Sequence, residues 1–526
     1  MRKRFFAISL LSLCAVASYA AKVKIDKTPK DIYSGVPFNM EAVPEIKFKN
    51  NTLSISDCGA IGNGTYDNTE AFRKAIDSIA GKGGGHVIVP QGIWLTGPIV
   101  MKSNIDLHLE KGALIFFTKD KKQYKIAPST FEGLNTRRCV SQISGDSLEN
   151  IAITGEGVID GNGDVWRAVK KRKMAPYEWN KLVKKGGIVE DEQWYPSQSY
   201  LDGKRMAEDQ NIPIVDNDST WENIRDFLRP TLLGFKNCKN IILDGVMFQN
   251  SPSWCLHPLM CKNIRISNIT VRNPWYAQNG DALDLESCQN AIVYNSTFDA
   301  GDDAICIKSG KDEDGRKRNM PCKNIVVKNC TVLHGHGGFV VGSEMSGGAK
   351  NMYVKDCLFM GTDVGLRFKS KRGRGGVVEN VFIDKVNMID IKGEAILFDL
   401  FYGNKNVTDK GKVPADITTP EFKSIHIKNI NCNGAKKAMF FNGLPEKNIT
   451  EVSLENINIT SDNGAEIVDA ANITMTNADI NCKKGAMLKL TRVKDSTFDN
   501  IKSSQSDINN VEKSGCQNIT TRNIEH

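Results

Sequence analysis

The stretch Cys238-Lys239-Asn240-Ile241 decides the fold, because close copies of it recur along the chain. The next copies begin at Cys261, Cys288 and Cys322, at successive intervals of 23, 27 and 34 residues. The copies lead into alternating residues, as in Ile425-His426-Ile427-Lys428, which is the two-residue period of a strand and not that of a helix. We therefore expect many short strands that repeat at nearly regular intervals.

A repeat of roughly two dozen residues, with Asn and Gly turns and no crossover helices, predicts a solenoid whose coils stack on one another. Inward-facing Ile and Val would form its core. Asn recurs at one turn because its side chain can bond neighbouring backbone, and Cys recurs beside it as a small buried hydrophobe. The sequence therefore predicts an all-β solenoid with ladders of stacked Asn and Cys residues.

Three segments depart from the repeat. Asp67-Asn68-Thr69-Glu70 is typical of a capping box and predicts a helix that ends near Gly81 and covers the N-terminal end of the solenoid. Residues 21–50 carry scattered prolines and predict a surface extension. Between Asp164 and Arg229 the strand pattern stops, which predicts a long insertion, about residues 164–229, in a catalytic domain spanning 51–526.

The first residues are typical of an export signal. Met1 to Arg4 is basic, Phe5 to Ser18 is apolar but too short to cross a bilayer, and Ser18-Tyr19-Ala20 has small residues at both ends. We expect a signal peptide over 1–20 and a periplasmic or extracellular protein with no membrane span. The alternative is a lipoprotein anchored at Cys14, for which Leu13 stands where a small residue is expected.

Composition narrows the class of protein. With 25% charged and 40% hydrophobic residues the chain is typical of a soluble globular protein. Its formal net charge of +8 falls to +5 once Arg2, Lys3 and Arg4 are removed, which argues against a nucleic-acid partner. Of 14 cysteines, 13 follow the predicted leader and are spread along the repeats, which predicts structural thiols, at least one of them free, and no zinc framework.

Carboxylates concentrate in one region and predict the chemistry. Asp281 and Asp302 are 21 residues apart, about one coil, and Asp303 follows directly. Residues on adjacent coils lie about 4.8 Å apart, so the three acids would share one patch. Repulsion within it raises at least one pKa and gives a protonated acid beside an ionised base, which glycoside hydrolysis requires. A turn formed by Gly301-Asp302-Asp303 is the structural alternative.

Cationic residues follow at compatible intervals. His336 lies 33 residues beyond Asp303, and Arg367 lies 64 residues beyond it. Arg367 and Lys369 are two apart on a predicted strand and so point the same way. Two such cations beside three acids predict a site for a substrate carboxylate. His334 is predicted to be an exposed or packing side chain outside the site.

Four ordered motifs resemble the signature motifs of glycoside hydrolase family 28, the polygalacturonases: Asn279-Gly280-Asp281, Gly301-Asp302-Asp303, Gly335-His336-Gly337 and Arg367-Phe368-Lys369. The resemblance covers roughly residues 50–500. It implies a single-stranded right-handed parallel β-helix and inverting hydrolysis of acidic pectic polysaccharide or oligosaccharide, with no metal and no other cofactor. Gly280, Phe368 and Ala304 depart from the usual residues, but no charged group is lost.

The resemblance also implies the individual roles. Asp302 matches the general acid, Asp281 and Asp303 match the pair that activates water, and His336 matches a residue that tunes the protonation of the acid. Arg367 and Lys369 match the clamp on the substrate carboxylate. Two further residues are candidates for substrate binding, Asn279 from the first motif and Tyr402 on spacing alone.

Within the family we expect a bacterial, exo-acting enzyme, because the insertion and the charged loop at 311–321 could close one end of the groove. A hydrolase of rhamnogalacturonan, or of another galacturonide, is the alternative that uses the same acids. A β-helix lyase would be expected to use calcium and an arginine base and to give unsaturated products. A binding or adhesin module would need no catalytic acids.

Overall fold

The computed structural model describes residues 23–209, 211–215, 217–403, 411–503 and 510–524. The predicted signal peptide at 1–20 and the candidate lipid anchor Cys14 lie outside the described residues. In the described part, none of the helices has the length and apolar character needed to span a membrane.

The described chain winds into a parallel β-helix of 31 strands, which confirms the predicted fold. Most strands pair in parallel with their counterparts on the coils before and after, as Leu283 pairs with Leu256 and with Ile305. The strands are Thr52–Ser54, Gly85–Val89, Gly92–Thr96, Ile99–Val100, Ile105–Leu109, Ala113–Phe117, Ile143–Asp146, Glu149–Gly155, Val158–Asp160, Leu233–Lys236, Lys239–Asp244, Met247–Gln249, Leu256–Leu259, Lys262–Ser267, Thr270–Arg272, Leu283–Glu286, Gln289–Tyr294, Thr297–Asp299, Asp303–Lys308, Cys322–Lys328, Thr331–His334, Gly337–Gly342, Ala349–Met360, Leu366–Lys369, Val377–Asp399, Glu421–Asn442, Ile449–Val468, Ala470–Thr491, Lys494–Lys502, Val511–Ser514 and Gln517–Ile524.

Three faces of the solenoid matter for the site. In one complete coil, Gln289–Tyr294 belongs to sheet 1, Thr297–Asp299 to sheet 2 and Asp303–Lys308 to sheet 3. Inward-facing Ile, Val, Leu and Phe side chains from all three sheets form one continuous buried core. The turn from sheet 2 into sheet 3, residues 300–302, carries part of the predicted acid cluster.

The repeated Asn residues form the predicted ladder. Asn240, Asn263 and Asn290 all have positive φ, which Asn tolerates better than most residues, and the side-chain amide of each donates to the side chain of its counterpart one coil earlier at 2.8–2.9 Å. The adjacent Cys261 and Cys288 are fully buried and donate to backbone carbonyls. The ladders are therefore structural, as the sequence predicted.

The helices and remaining strands lie outside the coils. The α-helices are Thr69–Gly81, Pro176–Lys184, Gln198–Arg205, Asp218–Asn223 and Asp312–Arg318, and the 3₁₀ turns are Lys30–Tyr33, Ile55–Cys58, Lys121–Gln123, Gly163–Val165, Lys171–Lys173 and Arg225–Phe227. The short antiparallel strands are Ile126–Phe131, Leu134–Cys139, Val169–Lys170, Ile188–Glu190, Gln193–Tyr195, Ala207–Asp209 and Ile212–Pro213.

Helix Thr69–Gly81 buries Phe72, Ile76 and Ile79 in the solenoid core, as its apolar spacing predicted. The predicted capping box is wrong. Asp67 Oδ1 accepts from Thr69 N at 3.0 Å, but Glu70 pairs with Arg73 and does not turn back to close the box.

Residues 23–50 run over sheet 1, where Ile32 and Val43 pack against Ile292, Tyr294 and Tyr353. The segment between Asp164 and Arg229 contains three of the five α-helices found in the described residues. Its Trp166, Tyr195 and Tyr200 belong to a buried cluster that also includes Tyr124 and Cys139 from outside the segment.

Candidate active site

The three predicted acids meet at one edge of sheet 3. Asp302 ends the turn that leads into strand Asp303–Lys308, and Asp281 precedes the neighbouring strand Leu283–Glu286. The backbone N–H of Ala282 donates to the carbonyl of Asp303 at 3.0 Å, which holds the two turns together. One carboxylate oxygen from each acid lies within 4.8 Å of the other two. The one-coil interval between Asp281 and Asp302 thus produces the shared patch.

Asp303 is held as an ionised carboxylate. Its side chain is 1% exposed and accepts from Lys369 Nζ at 2.7 Å and from an Arg367 guanidinium nitrogen at 3.3 Å. Burial would raise the pKa of Asp303, but Lys369 and Arg367 outweigh it and hold the pKa below its ordinary value. Asp303 therefore stands ready to accept a proton.

Asp302 and His336 form an ion pair. His336 Nδ1 lies 2.9 Å from Asp302 Oδ1, and the His336 backbone N–H donates to the Asp302 carbonyl at 2.7 Å. Burial would raise the pKa of Asp302, but His336 and Lys369 lower it below its ordinary value. The pKa of His336 is correspondingly raised by Asp302. The pair thus holds one proton between the two groups, and both pKa shifts favour its position on the imidazole.

Asp281 is the carboxyl group of the three whose surroundings favour the protonated form. It is 3% exposed, and its Oδ1 has no hydrogen-bond partner among the described residues. Burial first, then the nearby Asp284 and Asp302, raise its pKa well above the ordinary value. The sequence predicted that crowding raises the pKa of at least one acid, and the family resemblance matched Asp302 to the general acid. In the structure the carboxyl group with the raised pKa is that of Asp281.

Arg367 and Lys369 lie side by side as their spacing predicted, but their surroundings differ. The Lys369 side chain is 6% exposed and points at Asp303, whereas that of Arg367 is 17% exposed. Tyr402 lies over both, with its ring centroid 5.0 Å from Lys369 Nζ and 5.7 Å from the Arg367 guanidinium carbon. Tyr402 was a candidate on spacing alone, and the structure places its side chain beside Arg367 and Lys369.

Asn279 lies beside the acids, but its amide is occupied. Its Oδ1 accepts from the Arg229 guanidinium at 2.8 Å, and its Nδ2 donates to Glu132 Oε1 at 3.2 Å. Arg229 also donates to the Gln278 carbonyl at 2.8 Å. These contacts fix the backbone just before Asp281.

A second charged group lies behind the acids and was not predicted. Lys308 Nζ donates to Glu344 at 2.8 Å and lies 3.7 Å from Asp284. All three side chains are buried, and neither carboxylate oxygen of Asp284 has a hydrogen-bond partner among the described residues. Lys308 could have been predicted on the outer face of strand Asp303–Lys308, because it lies two residues after Cys306. Its partner Glu344 could not, because Glu344 lies in a turn outside the strand pattern.

An antiparallel hairpin, strands Ile126–Phe131 and Leu134–Cys139, covers sheet 3 on the N-terminal side of the acids; we call it the bridging hairpin. Phe131 stacks on Trp254 with ring centroids 5.5 Å apart, and the Arg138 guanidinium lies 3.9 Å from the Phe131 ring. The carbonyl of Gly133 accepts from Lys311 N at 3.1 Å. The hairpin therefore spans sheet 3, from Trp254, which precedes strand Leu256–Leu259, to Lys311, which follows strand Asp303–Lys308.

The bridging hairpin was missed in the sequence, although it carried a signal. Its two-residue turn, Glu132-Gly133, has φ of 48° and 78°, the conformation that favours a tight hairpin between alternating strands. Beneath it, outward-facing charged residues of sheet 3 that would line an open groove are buried: His257, Asp284, Glu286 and Lys308.

Asp281, Asp302 and Asp303 are also the described acids that could approach a single metal ion. Two of them already face fixed positive groups, Asp303 with Lys369 and Asp302 with His336. A cation added to this cluster would compete with charges that the chain itself supplies.

The fold and this cluster define a β-helix hydrolase, and comparison with known proteins gives the family. The model of glycosyl hydrolases family 28 matches residues 216–482, about half of the chain. The chain belongs to this family, and it is a glycoside hydrolase of the polygalacturonase type.

Several relatives are similar over most of their length. The chain is 27% identical to the exo-poly-alpha-D-galacturonosidase of Dickeya chrysanthemi over 449 residues, which covers 81% of this chain and 69% of that protein. It is 26% identical to an endo-polygalacturonase of Pectobacterium carotovorum subsp. carotovorum over 420 residues, covering 78% and 89%. Among solved structures, the hyperthermoactive exopolygalacturonase of Thermotoga maritima aligns with a TM-score of 0.66 and 29% identity, over 90% of this chain and 94% of that one.

Proposed function

We propose that this enzyme hydrolyses α-1,4-galacturonosyl linkages in pectic galacturonan from a chain end, with Asp302 as general acid and Asp281 and Asp303 around the attacking water. The observation that carries the proposal is the contrast between neighbouring carboxyl groups. Asp303 is held ionised by Lys369 and Arg367, while Asp302 shares a proton with His336 across 2.9 Å. An acid and a base thus stand within one cluster of 4.8 Å.

The proton that the leaving oxygen needs is supplied by the pair of Asp302 and His336. Transfer of the Nδ1 proton from His336 to Asp302 leaves a neutral imidazole and a neutral carboxyl group. Asp302 can then protonate the glycosidic oxygen, and its side chain, 23% exposed, faces the groove. The water that replaces the leaving group gives its proton to Asp303, whose carboxylate is already stabilised by two cations.

The stereochemical course can be tested separately. The family resemblance implies inversion, whereas an oxygen separation within 4.8 Å is shorter than the roughly 6.5 Å or more usual for an inverting pair. On the water side, the Asp281 carboxyl group can hold the water by a hydrogen bond while the ionised Asp303 accepts its proton. Proton NMR of the first product decides it: the β-anomer from an α-linked substrate supports inversion, and the α-anomer contradicts it.

The substrate carboxylate is assigned to Arg367, assisted by Tyr402. Arg367 has more of its side chain at the surface than Lys369 and lies under the Tyr402 ring. Lys369, pointing into the protein, would act on Asp303 instead. An anionic polymer therefore meets a partly exposed cation on the C-terminal side of the acids.

Exo-action rests on the bridging hairpin. It closes the groove on the N-terminal side, where the sequence had assigned the closure to the insertion and the 311–321 loop. Both of those segments contribute contacts to it: Asn211 donates to Glu132 at 2.7 Å, and Asp314 accepts from the Asn135 N–H at 3.2 Å. Sugar units that extended past the acids on this side would collide with the bridging hairpin, which Phe131 fixes on Trp254.

The first experiment follows products over time from de-esterified polygalacturonan and from rhamnogalacturonan, with a chelator present. Monogalacturonate from the outset, unaffected by the chelator, is expected. A variant in which residues 130–135 are replaced by a short turn should release longer oligomers, if it keeps its melting temperature. Cleavage of rhamnogalacturonan but not of polygalacturonan would show that the enzyme has the alternative activity, hydrolysis of rhamnogalacturonan.

Asp302→Asn tests the assignment of the acid and separates the enzyme from a lyase or a binding module. Turnover should fall by about 10² to 10⁴, the usual contribution of a general acid, while substrate still binds. Products that absorb in the ultraviolet would indicate a lyase, and wild-type turnover in the variant would refute the role of Asp302.

A further inference from the structure

A second depression, the side groove, opens beside the active site and is not used by the mechanism above. Its volume is about 840 Å³. It runs along the outer end of sheet 2, beneath the insertion, and reaches His336 at one end. Its floor is one row of side chains on stacked coils, about 4.8 Å apart: Asp160, Gln249, Arg272, Asp299 and His334.

The loop 274–279 separates the side groove from the groove over sheet 3. On one side, Pro274, Trp275 and Tyr276 line the side groove. On the other, Gln278 and Asn279 contact Arg229, and Asn279 contacts the bridging hairpin. The two grooves meet at His336, whose Nδ1 faces Asp302 and whose Nε2 lies 3.4 Å from Lys173 of the insertion.

The side groove suits a polar but uncharged ligand. Its lining carries four acids, Asp160, Asp164, Asp299 and Asp363, against four Lys or Arg residues, Arg172, Lys173, Arg272 and Lys392. Its two histidines each face an acid, His334 facing Asp299 and His336 facing Asp302. Because the charges balance, the groove offers no net attraction to a polyanion. Amide and carboxylate groups spaced along the floor can accept and donate hydrogen bonds to hydroxyl groups instead.

Trp275 gives the side groove an apolar surface. The residue is 54% exposed, and its backbone carbonyl accepts from Lys173 Nζ at 3.5 Å, which ties the loop to the insertion. An aromatic ring with an exposed face among hydrogen-bonding groups presents the two surfaces that a sugar ring needs, one for its C–H face and one for its hydroxyls.

We propose that the side groove binds a neutral sugar branch carried by the galacturonan next to the bond that is cleaved. This inference rests on the proposed hydrolysis of galacturonan. The polymer backbone would lie over sheet 3, with its end against the bridging hairpin, and the branch would pass His336 into the side groove. The preferred substrate is then a decorated galacturonan, not the bare polymer.

The test compares kcat/KM for a xylose-substituted galacturonan with that for the unsubstituted polymer of the same length. In Trp275→Ala the ratio of the two should fall about five- to tenfold relative to the wild type, the usual size of an aromatic contact. Tyr177→Ala is the matched control, because Tyr177 is 73% exposed on the insertion and does not line the groove. Its ratio should equal that of the wild type.

An equal fall for both polymers in Trp275→Ala, or no cleavage of the substituted polymer by the wild type, would overturn the inference. A binding measurement separates it from the proposed hydrolysis, because it needs no turnover. Saturation-transfer NMR should show contact between methyl xyloside and the wild-type protein, and the signal should be lost in Trp275→Ala. An unchanged signal in that variant would also overturn the inference, whichever polymer is cleaved.

Discussion

Glu132, at the tip of the bridging hairpin, should make the stability of the protein depend on pH. Its carboxyl group is almost completely buried, Oε1 accepts from Asn211 and Asn279, and Oε2 has no partner among the described residues. Burial first, then the nearby Glu344, raise its pKa from 4.5 to about 8. The carboxyl group is therefore neutral in the folded protein at pH 7.

The sign follows from the two pKa values. Because the folded state holds this proton more tightly than the unfolded state, its stabilisation is fully present below pH 4.5 and is lost as the pH rises through about 8. A difference of about 3.5 pKa units corresponds to at most about 5 kcal/mol. Glu132→Gln keeps an uncharged acceptor at Oε1 and has no proton to lose.

The assay is the melting temperature of the wild type and of Glu132→Gln between pH 4.5 and 9. The variant should match the wild type near pH 5 and exceed it at pH 8 to 9. Glu156→Gln is the control, because its side chain is 72% exposed and it should follow the wild-type curve. Parallel curves for the wild type and Glu132→Gln would show that the buried carboxyl group is not neutral and would refute the reasoning.

Three further variants test the charged groups around the acids. Lys369→Met should raise the pKa of Asp303 and lower kcat by about 10² with little change in KM, measured in steady-state kinetics; a change in KM alone would contradict the assignment of Lys369 to Asp303. His336→Gln leaves Asp302 to hold the acid's proton alone, so the basic limb of kcat/KM should move to lower pH; an unmoved limb would exclude His336 from the proton supply. Lys308→Met leaves buried carboxylates without their cation and should lower the free energy of unfolding by about 3–5 kcal/mol in urea titrations, and adding Glu344→Gln should restore part of it; if the single variant is as stable as the wild type, the buried pair is not a net support.

The repeats made most of the fold predictable. Each copy of the Cys-Lys-Asn-Ile motif specifies a local turn, and the same turn recurs on successive coils. A misassigned copy therefore has little effect on the predicted fold, because the neighbouring copies specify the same structure. The same regularity placed Asp281 beside Asp302, since their separation is one coil. Helix Thr69–Gly81 was predictable from its own apolar spacing, whereas its cap was not, because Glu70 found Arg73 as a nearer partner.

The features that the sequence did not predict depend on contacts between residues far apart in the chain. The bridging hairpin is anchored by Phe131 on Trp254, residues more than a hundred positions apart that no repeat relates. The proton distribution could not be read either. His336 lowers the pKa of Asp302 across a 2.9 Å contact, whereas burial raises that of Asp281, and a motif gives the residues without that geometry.

The thiols of the core have a consequence for the lifetime of the protein. The 13 described cysteines are all free, and all but Cys58 and Cys516 are buried. Burial raises the pKa of Cys322 to about 12, so the reactive thiolate is suppressed while the coils stay stacked. A coil that opens in an oxidising medium exposes thiols from neighbouring turns to one another, and cross-links formed there prevent restacking. Under such conditions inactivation is irreversible, and the rate at which coils open, not the equilibrium between folded and unfolded chains, sets how long the enzyme survives.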